Sequence, residues 1–338
     1  MTVFNGTKRR ALLAGAALVG VGLHGAGLAA KPNRPIFVLN SNDADVSLVD
    51  PVTHTVMKRV PTGKEPHHLY LTPDEKSVIV ANAASNSLTF LDPTTGAVQR
   101  TLADIVDPYH LRFSPDMKWF VTAANRLDHI DIYRWVPSDT AKPLQLAKRI
   151  EAPKVPSHLF IDSRSTVLYA TLQDSDELMA IDLASQKPRW KVKVGRMPAD
   201  VFLTSDDKTL LVAMTGEKVV EAWDVSGAAP KLIKRITTGN GAHAFRARGD
   251  KRHVFVSNRV ANTVSLLDTR TLTVVADYKV PGGPDCMEVL ADGRTLLVTS
   301  RWAGKLSYVD IDSRQLIRQV AVGRSPHGVW TLEHAPRE

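Results

Sequence analysis

The sequence predicts an all-β fold, a seven-bladed β-propeller of four-stranded blades in which the C-terminal strand completes the N-terminal blade and closes the ring. Three observations support this prediction. A unit of about 42 residues recurs seven times. Each unit holds short β-branched runs bounded by Gly, Pro, Asn and Asp, which is typical of strands. The chain begins with three strands of one unit and ends with a lone first strand, "HGVWTL".

The repeat is marked by one position in each unit, which in six of the seven units lies two residues after a proline. These marker residues are His68, His110, His158, Asp200, His243, Cys286 and Gly328. Successive gaps are 42, 48, 42, 43, 43 and 42 residues, and an insertion at residues 135–145 explains the long one. A repeat of roughly 40 to 45 residues with four strands is typical of a propeller blade.

The four strands follow one another in the same order in each unit. An apolar first strand such as "HLYL" follows the marker, and a polar turn leads to a second strand such as "SVIVAN". An alternating third strand ends in Asp, as in "SLTFLD", and a "DPTTG" turn precedes a more polar fourth strand, "AVQRTL". Pro93 and Gly96 suit that turn because proline presets φ and glycine tolerates positive φ. No linker interrupts the pattern, which predicts one propeller domain over residues 31–338.

The first thirty residues predict a signal peptide. Lys8, Arg9 and Arg10 precede an apolar stretch, and small residues follow at Ala29 and Ala30. "RRALL" is similar to a twin-arginine export signal, while general secretion stays open. The apolar stretch is shorter than the roughly 20 residues that a membrane span needs. We therefore expect a periplasmic or secreted protein with no membrane span in the mature chain.

Net charge and the arrangement of the basic residues limit the classes of partner that we expect. Residues 1–30 hold three basic residues and no acidic one, so their removal lowers the net charge from +8 to +5. The basic residues are scattered, which disfavours a dedicated nucleic-acid surface. A protein partner stays open. Cys286 is the single cysteine, so no disulfide can form within the chain.

Three segments resemble a known family. "VIVANAASNSLTFLD" (78–92) and "VFVSNRVANTVSLLD" (254–268) resemble the YVTN repeat of exported, YncE-like seven-bladed propellers, and "PHGVW" (326–330) resembles that family's "PHGVA". The resemblance covers residues 36–332 and implies the propeller fold. Related propellers include lactonases, lyases, nucleic-acid binders and the haem-binding propeller of nitrite reductases, so it implies no single activity. The family often has glycine at the marker position, where this chain mostly has histidine.

The histidines predict a metal site. First strands line a propeller's channel, so the markers should converge at its mouth. The candidate ligands are His68, His110, His158, His243, Asp200 and Cys286, with His67 and His327 one residue before their markers as weaker candidates. Imidazole and thiolate suit copper, zinc or iron, and Cys286 with Met287 favours copper slightly. A haem-like tetrapyrrole with an axial histidine is a second form of this prediction. The alternative is a polar channel lining that binds carbonyl groups and water.

A second candidate set lies in the loops between second and third strands, on the same face as the markers. Arg126, Arg259, Arg301 and the adjacent Trp302 could hold an anionic small molecule above the histidines, because guanidinium groups match carboxylates and phosphates. The alternative is that these arginines are solvated surface charges.

These features predict an exported propeller that binds a transition metal, a tetrapyrrole or an anionic small molecule at a histidine-lined mouth. One alternative is a periplasmic enzyme, either lactonase-like or lyase-like or a metal-dependent oxidoreductase, that uses the same mouth. The other is a scaffold for protein or single-stranded nucleic acid partners. An imidazole paired with Asp200 or Asp285 beside an open pocket would favour the enzyme, whereas several imidazoles aimed at one point would favour a metal.

Overall fold

The computed structural model describes residues 34–338, which form seven four-stranded antiparallel sheets. This confirms the predicted seven-bladed propeller. The predicted signal peptide, residues 1–30, lies outside the described residues. Within residues 34–338 the helical segments are two short 3-10 turns, Ala83–Ser85 and Gln173–Ser175. None of them has the length or apolar character needed to cross a membrane.

Each blade contributes one strand to each of four concentric rings. The first strands are β4 (Pro66–Leu71), β8 (Pro108–Phe113), β12 (Pro156–Ile161), β16 (Pro198–Leu203), β20 (Ala242–Ala247), β24 (Pro284–Val289) and β28 (Pro326–Thr331). The second strands are β1 (Ile36–Asn40), β5 (Val78–Asn82), β9 (Trp119–Ala124), β13 (Val167–Leu172), β17 (Thr209–Met214), β21 (His253–Asn258) and β25 (Thr295–Ser300). Each first strand touches the first strands of both neighbouring blades, so these seven strands surround the central channel.

The outer half of each blade follows in chain order. The third strands are β2 (Asp45–Val49), β6 (Ser87–Leu91), β10 (His129–Trp135), β14 (Glu177–Asp182), β18 (Val219–Asp224), β22 (Thr263–Asp268) and β26 (Lys305–Asp310). The fourth strands are β3 (Val56–Pro61), β7 (Val98–Ala103), β11 (Leu144–Glu151), β15 (Lys187–Lys193), β19 (Lys231–Thr237), β23 (Thr273–Lys279) and β27 (Leu316–Ala321). Second and third strands are almost fully buried, whereas fourth strands face solvent. The core therefore lies between adjacent blades.

The ring closes between the two ends of the described chain. Strand β28 pairs with β1, placing Phe37 opposite Trp330 and Val38 opposite Val329. The Phe37 and Trp330 rings meet edge to face at 5.3 Å, and both side chains are buried. Closure leaves no unpaired inner edge at the junction. The predicted completion of the first blade by the last strand is thereby confirmed.

A β-bulge recurs at the start of the first strands. In the second blade Pro66 pairs with Asn82 and Leu69 pairs with Val80, so two residues of β4 lie opposite one residue of β5. The same register shift occurs in the other blades. A bulge redirects side chains that would otherwise alternate between the two faces of a sheet. His67 and His68 can therefore both point into the channel although they are adjacent in sequence.

Asparagines at the ends of three second strands tie those strands to the third strands. Asn40, Asn82 and Asn258 are buried, and each Nδ2 donates to a hydroxyl oxygen of the third strand at 2.9 Å. The acceptors are Ser47, Thr89 and Ser265. These amides therefore have a structural role in their blades.

Replacement of Asn82 by alanine is expected to lower the free energy of unfolding by about 1–2 kcal/mol, because Thr89 and Ser87 lose their shared buried donor. Urea unfolding followed by tryptophan fluorescence measures the change. Asn42→Ala, at an exposed position of the neighbouring blade, is the control and should stay within about 0.5 kcal/mol of the wild type. Equal midpoints for both variants would show that the amide contributes nothing to stability.

Candidate metal centre in the channel

The channel histidines lie in two layers. The residue before each marker belongs to the upper layer, nearer the face on which the first strands begin and the Arg259 and Arg301 loops lie. The marker residues form the lower layer, nearer the face on which the first strands end. The upper layer contains His67, Tyr109, Ser157, Ala199, Ala242, Asp285 and His327; the lower layer contains the markers themselves. The bulge allows both layers to face the axis.

Three lower-layer imidazoles from three adjacent blades form the first cluster. The ring centroids of His68 and His110 are 4.4 Å apart, those of His68 and His158 are 4.9 Å apart, and those of His110 and His158 are 4.8 Å apart. One ligand nitrogen from each lies within 4.8 Å of the others. All three line a cavity of about 150 Å³. This cluster could hold a metal ion and leave a position open toward the cavity.

A second cluster joins the two layers through His67, His68 and His327, whose ligand atoms also lie within 4.8 Å of one another. The His67 and His327 rings are 3.6 Å apart, and Tyr109 lies 3.9 Å from His67 on its other side. His327 Nδ1 donates to the His67 carbonyl oxygen at 2.8 Å. That bond leaves Nε2 of the neutral ring as the free ligand atom.

The third cluster contains His243, Asp285 and His327. Asp285 Oδ1 lies 3.4 Å from His243 Nε2 and 3.7 Å from His327 Nε2. Its Oδ2 accepts a hydrogen bond from Arg259 Nη2 at 2.6 Å and lies 3.3 Å from Arg301 Nη1. Asp285 is fully buried, so the two arginines supply the charge that this carboxylate needs.

Burial keeps the channel histidines neutral. Burial lowers the pKa of His158, and it lowers the pKa of the other five well below the ordinary value of 6.5; those five are His67, His68, His110, His243 and His327. Each of the six has a buried ring nitrogen with no hydrogen-bond partner among the described residues. Neutral imidazole is the form that binds metals. Unpaired buried nitrogens are costly, so a bound ion would remove an unfavourable feature.

Asp285 stays ionised in this setting. Its burial opposes the charged form, but the positive charges of Arg259 and Arg301 outweigh burial and hold the Asp285 pKa below its usual range. Sequence reasoning considered this residue as a possible carboxylate partner of an imidazole in an enzyme, but did not include it among the metal ligands. The available signal was its position in the upper layer, one residue before a marker, which it shares with His67 and His327.

Other predicted ligands lie beside the clusters. Asp200 accepts hydrogen bonds from the backbone N–H groups of Val201 and Phe245, each at 2.8 Å, and belongs to no cluster among the described residues. Cys286 Sγ lies 3.5 Å from His327 Nδ1, and burial raises the pKa of its thiol well above the ordinary value. The structure therefore brings together the six histidines but leaves Asp200 and Cys286 at their margin.

The residues predicted to bind an anion do not form one site. Arg259 and Arg301 contact Asp285, whereas Arg126 contacts Glu65 at 2.6 Å and Asp107 at 2.7 Å in another blade. Trp302 is 61% exposed on the upper face. The arginine charges are thus already matched by carboxylates of this chain. The cavity beside His68 adjoins the lower face instead, because its walls continue along the first strands past the markers.

The comparisons with known proteins agree with this architecture. The YncE proteins of Salmonella typhi and Salmonella typhimurium are 28% identical to this chain over 149 residues, which is 43% of this chain and 42% of those proteins. The alignment thus spans less than half the length of these relatives.

Solved structures share the fold at low identity. A protein from Desulfotomaculum acetoxidans has a TM-score of 0.74 at 14% identity, covering 90% of this chain and 100% of that one. The dihydro-heme d1 dehydrogenase NirN, in complex with DHE, has a TM-score of 0.68 at 16% identity, covering 90% of this chain and 76% of that one. A YncE-like β-propeller family model matches residues 14–337. The chain therefore belongs to the YncE-like β-propeller family.

Proposed function

We propose that this protein binds a transition metal ion at His68, His110 and His158. The observation that carries the proposal is the convergence of three neutral imidazoles from three blades at the end of one cavity. Metal–nitrogen bonds of about 2.0–2.1 Å require the ligand atoms to approach more closely than their present limit of 4.8 Å. Small rotations of the rings would close the set around one ion.

The unpartnered nitrogens favour a ligand over a plain polar lining. A histidine that only lines a channel is expected to bond with carbonyl groups or hydroxyls through both nitrogens. His158 does so on one side, since its Nδ1 lies 2.9 Å from Ser157 Oγ, but its Nε2 points toward the other imidazoles without a partner. When the Ser157 hydroxyl accepts from Nδ1–H, Nε2 keeps its lone pair for a metal ion, as in many metal-bound histidines.

The geometry favours a metal over acid–base catalysis. Among the six channel histidines, the imidazoles nearest a carboxylate are those of His243 and His327, 3.4 Å and 3.7 Å from Asp285. Asp285 is fully buried, is engaged by two arginines and does not line the cavity. The pairing expected for a lactonase-like or lyase-like site is thus absent from the cavity wall among residues 34–338.

The ligand atoms at the three histidines limit which metal ion is favoured. Three imidazoles suit zinc and copper alike, and Cys286 lies outside the set, so its thiol gives copper no advantage there. Met287 packs among apolar side chains of the adjoining blades and also lines the cavity, but it belongs to none of the clusters among the described residues. A tetrapyrrole finds no room between rings whose centroids are 4.4–4.9 Å apart. It would have to lie in the wider space beyond the markers.

The proposed setting is outside the cytoplasm, supported by the signal-like sequence of residues 1–30. Zinc and copper are both available to exported proteins. The mature chain would then carry the metal on an exported scaffold stabilised without disulfides.

The histidine cluster can be tested by metal titration. Protein freed of metal with a chelator should bind about one equivalent of Zn²⁺ in calorimetry, and a His110→Ala/His158→Ala variant should bind it more than about 100-fold more weakly. Co²⁺ loading should give a visible absorption band in the wild type and none in this variant. The double change removes two of the three ligands and keeps the remainder of the channel.

The control variant is His54→Ala/His253→Ala, which removes two histidines that belong to none of the clusters. Its Zn²⁺ affinity should equal that of the wild type. Failure of the wild type to take up Zn²⁺, Cu²⁺ or Co²⁺ would disprove the proposal, as would equal affinity for both double variants. A Soret-like band in freshly purified protein would favour the tetrapyrrole instead.

A further inference from the structure

We propose that the lower face carries a binding site for a small planar aromatic carboxylate, separate from the metal ligands. The site is a cavity of about 510 Å³, within the range of about 300–1,000 Å³ typical of small-molecule sites. We call it the aromatic funnel; the side chains that define it are Tyr70, Arg112, Phe113, Phe160, Phe202 and Phe245. The inference does not depend on a bound metal.

The repeat register places these side chains around the axis. Residues two positions beyond a marker point to the same side of a strand as the marker does. In five consecutive blades these residues are Tyr70, Arg112, Phe160, Phe202 and Phe245. The histidine layer and the aromatic layer are therefore successive levels of one channel.

The aromatic rings form a half-open wall and leave apolar surface in contact with the cavity. Phe160 and Phe202 are 5.8 Å apart, and Phe202 and Phe245 are 6.2 Å apart, between ring centroids. Each of these three rings is only partly buried. Neighbouring aromatic side chains that remain partly exposed inside a concave surface favour a flat apolar ligand, which can lie against their faces or edges.

One arginine of the funnel has no carboxylate partner. Arg112 donates from Nε to the Leu159 carbonyl oxygen at 3.0 Å, and its guanidinium lies 4.8 Å from the Phe160 centroid and 5.8 Å from that of Tyr70. No ion pair involves Arg112 among the described residues. Its terminal nitrogens can therefore hold an anion at the inner end of the aromatic wall.

The other arginines of the funnel share one carboxylate, and the carboxylates at its rim have contacts of their own. Arg246 and Arg337 contact Glu288 at 2.6 Å and 2.5 Å. At the rim, Asp207 accepts a hydrogen bond from the Ser163 N–H at 3.1 Å, and Glu338 contacts Lys251 at 3.2 Å. Arg112 is thus the arginine of the funnel without a carboxylate partner, and a monoanion is favoured beside it over a cation or a neutral ligand.

The funnel and the histidine cavity share their walls. Tyr70, Arg112, Phe245, Arg246 and Arg337 line both spaces. A ligand whose carboxylate binds Arg112 would therefore place that group next to the cavity that His68, His110 and His158 line. The C-terminal residues 335–338 cover one side of the funnel, because Arg246 Nη2 donates to the Ala335 carbonyl oxygen at 2.7 Å.

The test uses metal-free protein, so its result can be interpreted even if the histidines bind no metal. The probe is 2-naphthoate, followed by its own fluorescence and by calorimetry, with naphthalene-2-methanol and cyclohexanecarboxylate as the neutral and non-aromatic counterparts. Wild-type protein should bind 2-naphthoate saturably and each counterpart about tenfold or more weakly. Arg112→Met should lower naphthoate affinity about tenfold or more while leaving the affinity for the neutral compound unchanged.

The matched control is Arg134→Met, which removes an arginine lying 5.3 Å from the Trp119 ring on the outside of a blade. This control should bind as the wild type does. Phe160→Leu should weaken both aromatic probes, and Arg112→Lys should retain part of the naphthoate affinity, which keeps the test valid if Arg112→Met folds poorly. No saturable binding by the wild type, or equal binding by Arg112→Met and Arg134→Met, would overturn the proposal. So would stronger binding of cyclohexanecarboxylate than of 2-naphthoate.

Discussion

Replacement of Asp285 by alanine is expected to destabilise the protein by about 3 kcal/mol, which would make this carboxylate one of the most important polar groups in the fold. The side chain is fully buried and contacts Arg259 and Arg301 at 2.6 Å and 3.3 Å. Its removal leaves two positive charges beside neutral imidazoles with no counter-ion. The arginine side chains are 18% and 24% exposed, so water relieves part of this cost.

Guanidinium unfolding of the wild type and Asp285→Ala measures this effect. Asp312→Ala is the matched control, since Asp312 also contacts two arginines, Arg248 and Arg294, but is 57% exposed. That change should cost no more than about 1 kcal/mol. A triple variant with Asp285→Leu, Arg259→Met and Arg301→Met should recover much of the lost stability, because it removes the unpaired charges as well. Equal midpoints for Asp285→Ala and Asp312→Ala would contradict this account.

The fold could be predicted from the sequence because several separate features of the repeat indicate the same architecture. The 42-residue register, the β-branched second strands and the terminal "HGVWTL" strand each indicate a closed ring of seven blades. The pairing of β28 with β1 confirms that inference at residue level. Repetition makes such a prediction robust, since one irregular unit, such as the insertion at 135–145, does not obscure the other six.

The site could be predicted only in part, because two features depend on three-dimensional contacts. The marker register identified His68, His110 and His158, which do cluster. Simple alternation along a strand would turn the preceding residue away from the channel, and the bulge reverses this for His67. Side-chain partners were equally inaccessible: the sequence shows Arg259 in a loop but cannot show that it contacts a carboxylate 26 positions later.

The aromatic funnel is a second feature that the repeat indicated but that the sequence alone could not identify. Tyr70, Phe160 and Phe202 occupy a regular position two residues beyond their markers, so the repeat contained the signal. Taken one at a time, aromatic residues in apolar strands are expected in a core. Only the fold shows that these rings face one cavity, with the unpaired Arg112 between two of them.

Metal-free protein is expected to lose stability steeply as the pH falls below about 6.5, because six channel histidines are neutral when folded and take up protons when unfolded. Burial lowers the pKa of each of them in the folded state. A group with a depressed imidazole pKa binds fewer protons folded than unfolded, so acid favours unfolding. The loss begins near the unfolded value of 6.5 and continues down to the folded value of each group. Above pH 7 these groups contribute no slope.

Thermal midpoints of chelator-treated protein between pH 8 and pH 5 measure this dependence. Each histidine lowers the free energy of unfolding by up to about 1.4 kcal/mol per pH unit below its unfolded pKa. The six together therefore make the stability fall steeply in acid. The charges that surround the rings are those of Asp200, Asp285, Arg112, Arg259 and Arg301. Replacing His110 by glutamine removes one of the protons that the unfolded state binds and the folded state does not, so the thermal midpoint should depend less steeply on pH. A saturating metal ion should raise the thermal midpoint at every pH, because it binds neutral imidazoles of the folded state. A midpoint that stayed constant from pH 7.5 to pH 5.5 in the metal-free protein would mean that these histidines titrate equally in both states, and would remove the electrostatic basis for treating them as preformed ligands.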